Sequence, residues 1–184
     1  PWTNSVVYYD EATKTTVKKR LTPGSEEWTT IWTAFLNDLA DHLYEKGWFN
    51  DAYIGIDERG FNKAAFDLID SIKRGIPTPL KLKSAGAMDG FVEKKDLAMR
   101  VDDLNVGSIA VKAHPQQFEE IRQAREDAGL RTTIYTCTGH KPGNFSLSAP
   151  GESYWTMMYS YSVGGEGYLR RRSEERRVGK ECRS

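Results

Sequence analysis

Apolar residues recur every three or four positions between residues 28 and 43: Trp28, Ile31, Trp32, Phe35, Leu36, Leu39 and Leu43. That period predicts an amphipathic helix whose Trp/Phe stripe is core. Ser25 stands where it can cap the first turn, and Glu26 and Glu27 face the positive end of the helix dipole. Gly47 is the expected stop, and His42 falls off the stripe and reads as solvated. Before this helix, residues 5–9 and 15–18 read as two strands around a polar turn at 10–14, a peripheral hairpin. After it the period changes. Tyr53-Ile54-Gly55-Ile56 reads as a short buried strand, and Asp57 and Glu58 stand where the apolar run stops. Arg59-Gly60-Phe61 reads as a tight connection, with Asn62 capping a second helix. Ala65, Phe66, Leu68, Ile69 and Ile72 are its buried side and Gly75 its end.

The same alternation runs on. Pro77 and Pro79 bound a loop, and residues 80–83 read as a strand that ends at Ser84-Ala85-Gly86. Residues 91–104 read as a short helix and 108–114 as a strand. Pro115 suits the first position of a helix through Phe118, Ile121, Ala124 and Ala128 to Gly129. Residues 132–137 read as a strand and 138–150 as a loop rich in Gly, Pro, Ser and Asn, long enough to carry function. Residues 152–163 read as a helix and 167–170 as the start of a last strand. Strands that alternate with helices imply a parallel sheet with crossover helices. About five such strands are counted by periodicity. The fold class is α/β. The strands suit an incomplete (β/α)8 TIM-type barrel, about its C-terminal five strands, since a whole barrel needs ~250 residues. An open doubly wound sheet is the alternative.

Composition narrows the function classes. The 184 residues carry 26 Lys+Arg and 26 Asp+Glu, a formal net charge of zero, so nothing argues for nucleic acid or an anionic membrane. No apolar run approaches the ~20 residues of a membrane span, and no signal peptide is visible at Pro1. A start without Met reads as the interior of a larger protein or a processed product. Residues 172–184 resemble the conceptual translation of a short-read sequencing adapter: a nucleotide string beginning AGATCGGAAGAGC encodes Arg-Ser-Glu-Glu-Arg in this frame. This tail is therefore set apart as a foreign scar, against the rival readings of a solvated basic tail or a nucleic-acid patch. Without it 21 basic residues face 23 acidic ones, and Cys137 is left alone, so no internal disulfide is expected. No Gly-rich phosphate loop of standard spacing occurs, which counts against a nucleotide cofactor. No solenoid repeat is present either.

The Asp57-Glu58 step carries the candidate chemistry. Strand neighbours face opposite sides, but at a strand end the backbone can turn and bring both carboxylates into one pocket. There one can stay ionised while the other holds a proton for a leaving oxygen. The plain alternative is that Asp57 caps the next turn and Glu58 pairs with Arg59. His114 and His140 fall at or past strand ends, yet neither has a ligand spacing, so no metal is expected. No Gly-x-Ser-x-Gly elbow supports Ser-His-Asp chemistry. Cys137 reads as a packed strand thiol rather than a nucleophile. Tyr135, Trp155 and Tyr168 can stack on a sugar face or fill the core, and core is favoured for Trp155.

The ordered run Trp32…Phe35-Leu36…Leu39…His42-Leu43…Lys46-Gly47-Trp48…Ile54-Gly55-Ile56-Asp57-Glu58-Arg59 resembles the catalytic domain of glycoside hydrolase family 123. So does Tyr135-Thr136-Cys137-Thr138…Pro142-Gly143-Asn144, followed by Trp155 and Gly167-Tyr168-Leu169-Arg170. The resemblance implies a (β/α)8 barrel and exo-hydrolysis of terminal β-linked N-acetylgalactosamine from a glycan or glycoconjugate. It also implies a substrate-assisted retaining route, in which the acetamido oxygen attacks the anomeric carbon. Asp57 would then orient the acetamido group, and Glu58 would be the acid and then the base. Tyr135, His140, Asn144, Trp155, Tyr168 and Arg170 become candidate sugar contacts, and no cofactor or metal is required. On this reading residues 1–171 are part of the catalytic barrel and 172–184 the foreign tail. The barrel's first strands, an N-terminal part of its own chain, are missing. Such a piece has open edges and exposed apolar helix faces, and the expectations are aggregation and an inactive fragment. An extracytoplasmic place follows only from where glycan-degrading enzymes usually work. Two other readings stay open: a non-catalytic sugar-binding barrel, and a hydrolase of a sugar lacking the 2-acetamido group.

Overall fold

The computed structural model describes residues 5–56, 63–75 and 82–170, side chains at 72–75 and 170 excepted. Asp57, Glu58, the connection at 59–61, the Asn62 cap, the loop at 76–79, Leu80, Lys81 and the 172–184 tail lie outside the described residues. The chain forms two compact units, a first up to Lys83 and a second from Ser84.

In the first unit β1 (Ser5–Asp10) and β2 (Thr15–Arg20) pair antiparallel, with Ser5 opposite Arg20. Asp10 Oδ1 accepts from the amides of Ala12 (2.9 Å) and Thr13 (3.3 Å), which closes the turn between them. Helix α1 (Glu26–Glu45) starts where Ser25 Oγ accepts from the Trp28 amide at 3.2 Å, a cap that contributes about 1 kcal/mol. Gly47, at φ +72°, lets the chain reverse behind it. Trp28, Leu36 and Ala40 are buried along α1 and join Leu21 and Leu82 in one core, with Trp32, Ile54 and Leu68 partly buried against it. The stripe is narrower than its period suggests. Phe35 is 53% exposed, edge-on to Trp32 at 5.7 Å. A short 3₁₀ turn (Phe49–Asp51) leads into β3 (Tyr53–Ile56), and α2 (Lys63–Gly75) buries Phe66 and Ile69 as expected.

The second unit holds β4 (Lys83–Ala87, whose first residue ends the first unit), α3 (Lys95–Ala98), β5 (Asp103–Gly107), α4 (Ser108–Ala113), α5 (Pro115–Asp127), β6 (Arg131–Thr136), α6 (Pro150–Ser162) and β7 (Tyr168–Arg170). The strand order of the sheet is β3-β4-β5-β6-β7. The ladders of the second unit are parallel, with Ala85 opposite Asp103, Leu104 opposite Thr132 and Ile134 opposite Tyr168. The protein is thus α/β, and β4 to β7 form a parallel sheet. Side-chain alternation splits β5 and β6 into two faces. Leu104, Val106, Thr132 and Ile134 share the face that meets α5, whose Phe118, Ile121 and Arg125 are buried. Asp103, Asn105, Thr133 and Tyr135 share the other.

Three predicted elements move. Residues 108–114 form α4 rather than a strand: Ser108 and Val111 are buried three apart, while Ile109 between them is 53% exposed. The strand lies just before it, as β5. Its period is masked because its second face carries Asp103 and Asn105, polar residues that are satisfied inside the protein. Asn105 Nδ2 donates to Asp103 Oδ1 at 3.1 Å and to Thr133 Oγ1. Consequently the helix read over 91–104 shrinks to α3. The strand read over 80–83 is β4, shifted onto Ser84, Ala85 and Gly86, whose small side chains gave no apolar signal. The expected helix after Pro115, the strand at 132–137, the helix at 152–163 and the final strand all form, within a residue or two at their ends.

Candidate active site

Asp57 and Glu58 follow directly on Ile56, the last residue of β3. They fall outside the described residues, so the site is built here from the second unit, at the carboxyl ends of its parallel strands.

Asp89 lies two residues past β4. The Met88 amide donates to Asn105 O at 2.9 Å and carries the ladder up to it. Its Oδ1 accepts from the Gly107 amide at 2.8 Å, at the end of β5. Its Oδ2 accepts from the Tyr135 hydroxyl at 2.9 Å, near the end of β6. One carboxylate therefore bridges three strand ends. Gly107 is required for this: a Cβ there would stand 2.5 Å from Asp89 Oδ1, although its φ of −67° suits any residue. Beyond Asp89 the turn is anchored by Phe91, which is buried against Phe118 at 5.9 Å.

His140 joins the cluster from the loop after β6. Its Nδ1 lies 3.1 Å from Ser108 Oγ, and its ring stands 6.0 Å from that of Tyr135. Burial holds the imidazole below its ordinary value, with Lys112 adding to the shift and Asp89 and the Tyr135 carbonyl opposing it. The ring is therefore neutral at pH 7. Ser108 is fully buried, so it serves as a partner for His140 and not as an exposed nucleophile. Among the described residues no group of three His, Cys, Asp or Glu could hold a metal ion.

The other sequence-predicted contacts divide. Tyr135 and His140 come together. Asn144 and Trp155 belong to the loop and α6: Asn144 Oδ1 accepts from Ser153 Oγ at 3.0 Å, and Glu152 ties the loop down by accepting from Lys141 Nζ and the Gly143 amide, both at 2.7 Å. Trp155 is not core. It is 61% exposed, edge-on to Tyr154, beside a groove of ≈ 590 Å³ lined by Pro142, Met158, Tyr159 and Ser162. The reason is that α6 packs through small polar residues. Thr156 and Ser160 are buried, and Ser160 Oγ donates to Gly167 O at 3.1 Å. That close approach leaves the aromatics outside. Tyr168 sits opposite Ile134 and shares a hydrogen bond with Thr136 Oγ1, so it lies on the sheet face away from Tyr135. Arg170 ends β7 opposite Thr136, and its side chain is outside the described ones. Cys137, just after β6, is half-buried and in no disulfide. Sequence reading missed Asp89, Gly107 and Ser108. The available signal was an Asp just past a strand, as at Asp57, but the misplaced strand at 80–83 hid it.

Polar side chains gathered at the carboxyl ends of parallel strands are how α/β enzymes build sites, and comparison with known proteins gives the family. Residues 1–172 match the family model "Glycoside hydrolase 123, catalytic domain". The chain belongs to glycoside hydrolase family 123. Among solved structures it is similar to a family 123 glycoside hydrolase from Clostridium perfringens, studied for the details of glycolipid glycan hydrolysis, with 38% identity and a TM-score of 0.69. The match covers 92% of this chain and 29% of that one. No curated protein matches the chain. No helix among the described residues is long and apolar enough to cross a membrane.

Proposed function

We propose that the protein releases terminal β-linked N-acetylhexosamine, N-acetylgalactosamine by preference, from a glycan or glycoconjugate by a substrate-assisted retaining mechanism. The observation that carries this reading is family 123 membership across residues 1–172, together with an adjacent Asp57 and Glu58 immediately beyond β3. Glu58 protonates the departing glycosidic oxygen. The substrate's acetamido oxygen attacks the anomeric carbon and forms an oxazolinium, with Asp57 holding the acetamido N–H. Glu58 then takes a proton from the water that opens the ring. The route needs neither an enzyme nucleophile nor a metal. The second unit supports it with a polar cluster on strand ends, where Tyr135 and His140 are the sugar-contact candidates held closest together. On this reading the five strands are part of a (β/α)8 barrel, and the 184-residue chain alone is inactive.

The test is turnover of a chromogenic β-N-acetylgalactosaminide by the protein with the remaining barrel strands present, beside Asp57→Asn and Glu58→Gln. Both substitutions abolish activity on the natural glycan. Glu58→Gln regains part of it when the leaving group needs no proton. Sugar binding without turnover of any N-acetylhexosaminide would instead make this a binding barrel, and cleavage of a 2-hydroxy sugar alone would remove the acetamido step. Turnover by the 184-residue chain itself would overturn the inactive-fragment reading.

A further inference from the structure

We infer that α6 is a self-association surface: two copies of this chain pair α6 against α6, antiparallel, about a two-fold axis that passes between Met157 and Met158. The inference does not depend on the reaction proposed above.

Helices α5 and α6 differ on their outer sides. On α5 that side is polar. Glu119, Glu120, Gln123, Glu126 and Asp127 are exposed, and Arg122 pairs with Glu119 and Glu126 at 2.8 and 2.7 Å. Such a side suits water. On α6 the buried residues are Thr156 and Ser160. At about 3.6 residues per turn, Tyr154, Met157, Met158 and Tyr161 share one stripe on the side away from them. These four are 63%, 54%, 42% and 80% exposed. No charged residue occurs between Glu152 and Glu166, and Glu152 is paired with Lys141 at 2.7 Å.

The order of the stripe says what covers it. From the point between Met157 and Met158 the chain reads Met and then, three residues on, Tyr, in both directions. A two-fold axis through that point lays Tyr154 of one copy on Tyr161 of the other, twice, and sets Met157 beside Met158. Aromatic pairs and Met–aromatic contacts form, the two helix dipoles run in opposite directions, and no charge is buried. An isologous interface requires one patch that is complementary to itself, and this stripe is. Its richness in Tyr, Trp and Met without charge is also the composition of an interface core. Its size is sufficient. With Trp155, 61% exposed at the flank, these side chains offer about 600 Å² per copy, most of the ~800 Å² that each partner gives to a standard interface.

Sedimentation of the 184-residue chain over a dilution series tests this. The native chain is a dimer at about 100 μM and dissociates reversibly on dilution, since interfaces of standard size bind at micromolar strength or tighter. Met157→Lys, Tyr154→Lys and Tyr161→Glu each weaken the dimer about tenfold or more, with an unchanged circular dichroism spectrum because all three side chains are exposed. Tyr154→Lys and Tyr161→Glu together restore it, because the antiparallel register faces each new Lys with a new Glu of the other copy. Within one helix the two positions lie ~10 Å apart, too far to pair with each other. Tyr154 is edge-on to Trp155, so if its Lys variant folds poorly the reversed pair, Tyr154→Glu with Tyr161→Lys, answers the same question. A native chain that stays monomeric leaves the stripe to another segment or partner, and the inference falls. A dimer that survives Met157→Lys uses another face and overturns it. Failure of both charge pairs to restore the dimer overturns the antiparallel register, and large species that do not dissociate on dilution, in place of a dimer, overturn the inference as a whole.

Discussion

The two ends of the parallel strands in the second unit are both polar and both well satisfied, yet they are wired differently. At the amino ends, side chains bind mainly backbone. Asp102 Oδ2 accepts from the amide and hydroxyl of Ser84, at 2.6 and 2.9 Å. Glu166 Oε1 accepts from the Thr132 amide at 2.9 Å. Arg125, fully buried on α5, donates to the carbonyls of Ala98, Arg131 and Asp102 and to Thr132 Oγ1. At the carboxyl ends the links are largely between side chains, Tyr135 to Asp89 and Ser108 to His140, beside a long loop. Side chain to side chain bonds are the minority kind in proteins. Groups that bind backbone finish the fold. Groups that hold each other in place, where strands end, are available to hold something else. The difference marks the carboxyl edge as the candidate site.

The largest effect expected from that contrast is at Arg125. Burial pulls its guanidinium down to about 10, against support from Asp103, Asp102 and Glu166, and it is still charged at pH 7. Arg125→Met removes the guanidinium from the Ala98 and Arg131 carbonyls and from Thr132 Oγ1. The loss is about 3 kcal/mol, read by chemical denaturation. A loss under about 1 kcal/mol, the scale of a surface pair, would show that the amino edge is not structural in this sense.

Next comes Gly107→Ala. The new methyl meets Asp89 Oδ1 at 2.5 Å, so the carboxylate must move and the Tyr135 bond goes with it. Strain of this kind costs about 1–3 kcal/mol. The proposed hydrolase reading makes a sharper demand of the protein with the remaining barrel strands present: activity falls by more than the stability loss explains. Full activity in a folded Gly107→Ala protein would contradict it.

These residues also show what the sequence could carry. The helices at 26–45 and 115–127 were legible because caps, stops and a 3.6-residue period agreed, and β3 and β6 because their apolar runs were short and cleanly bounded. What failed lay where buried polar or small side chains hid the pattern. Asn105 and Asp103 disguised β5, Ser84 and Gly86 disguised β4, and Thr156 and Ser160 turned α6 so that Trp155 faces out. Periodicity detects burial only when the buried residues are apolar. Of the candidate site, Tyr135 and His140 were found as residue types at a strand end, while Asp89 needed the register of three strands to be seen. The Asp57-Glu58 step is a sequence expectation that falls outside the described residues.

Tyr168 tests the contrast from the other face of the sheet. Its hydroxyl pairs with Thr136 Oγ1 on the side away from Tyr135. Tyr168→Phe removes one hydrogen bond and lowers stability by about 1 kcal/mol, and on the proposed function it leaves sugar affinity unchanged. Weaker sugar binding at unchanged stability would place Tyr168 in the site after all.

The smallest effect is a change of slope with pH. In the unfolded chain His140 titrates near its ordinary 6.5, and in the folded one burial holds it lower. Between those two values the unfolded chain takes up a proton that the folded chain refuses. Stability therefore falls as pH drops below 6.5 toward the depressed value, and nothing is lost above 6.5. Asp103 acts with the opposite sign. Burial raises it above the usual carboxylate value, so its contribution falls as pH rises from the ordinary aspartate range to the raised value. The difference between the native chain and His140→Gln cancels the Asp103 part, since both carry it. Denaturation at pH 7 and at pH 5 is enough. His140→Gln flattens the decline between them, and at pH 7 it differs from the native chain by the ring's contacts with Ser108 and Tyr135. A slope unchanged by the substitution would mean that the imidazole takes up its proton as readily in the folded protein as in the unfolded one. The carboxyl edge would then lack the neutral ring that, beside Asp89 and Tyr135, sets it apart from the amino edge.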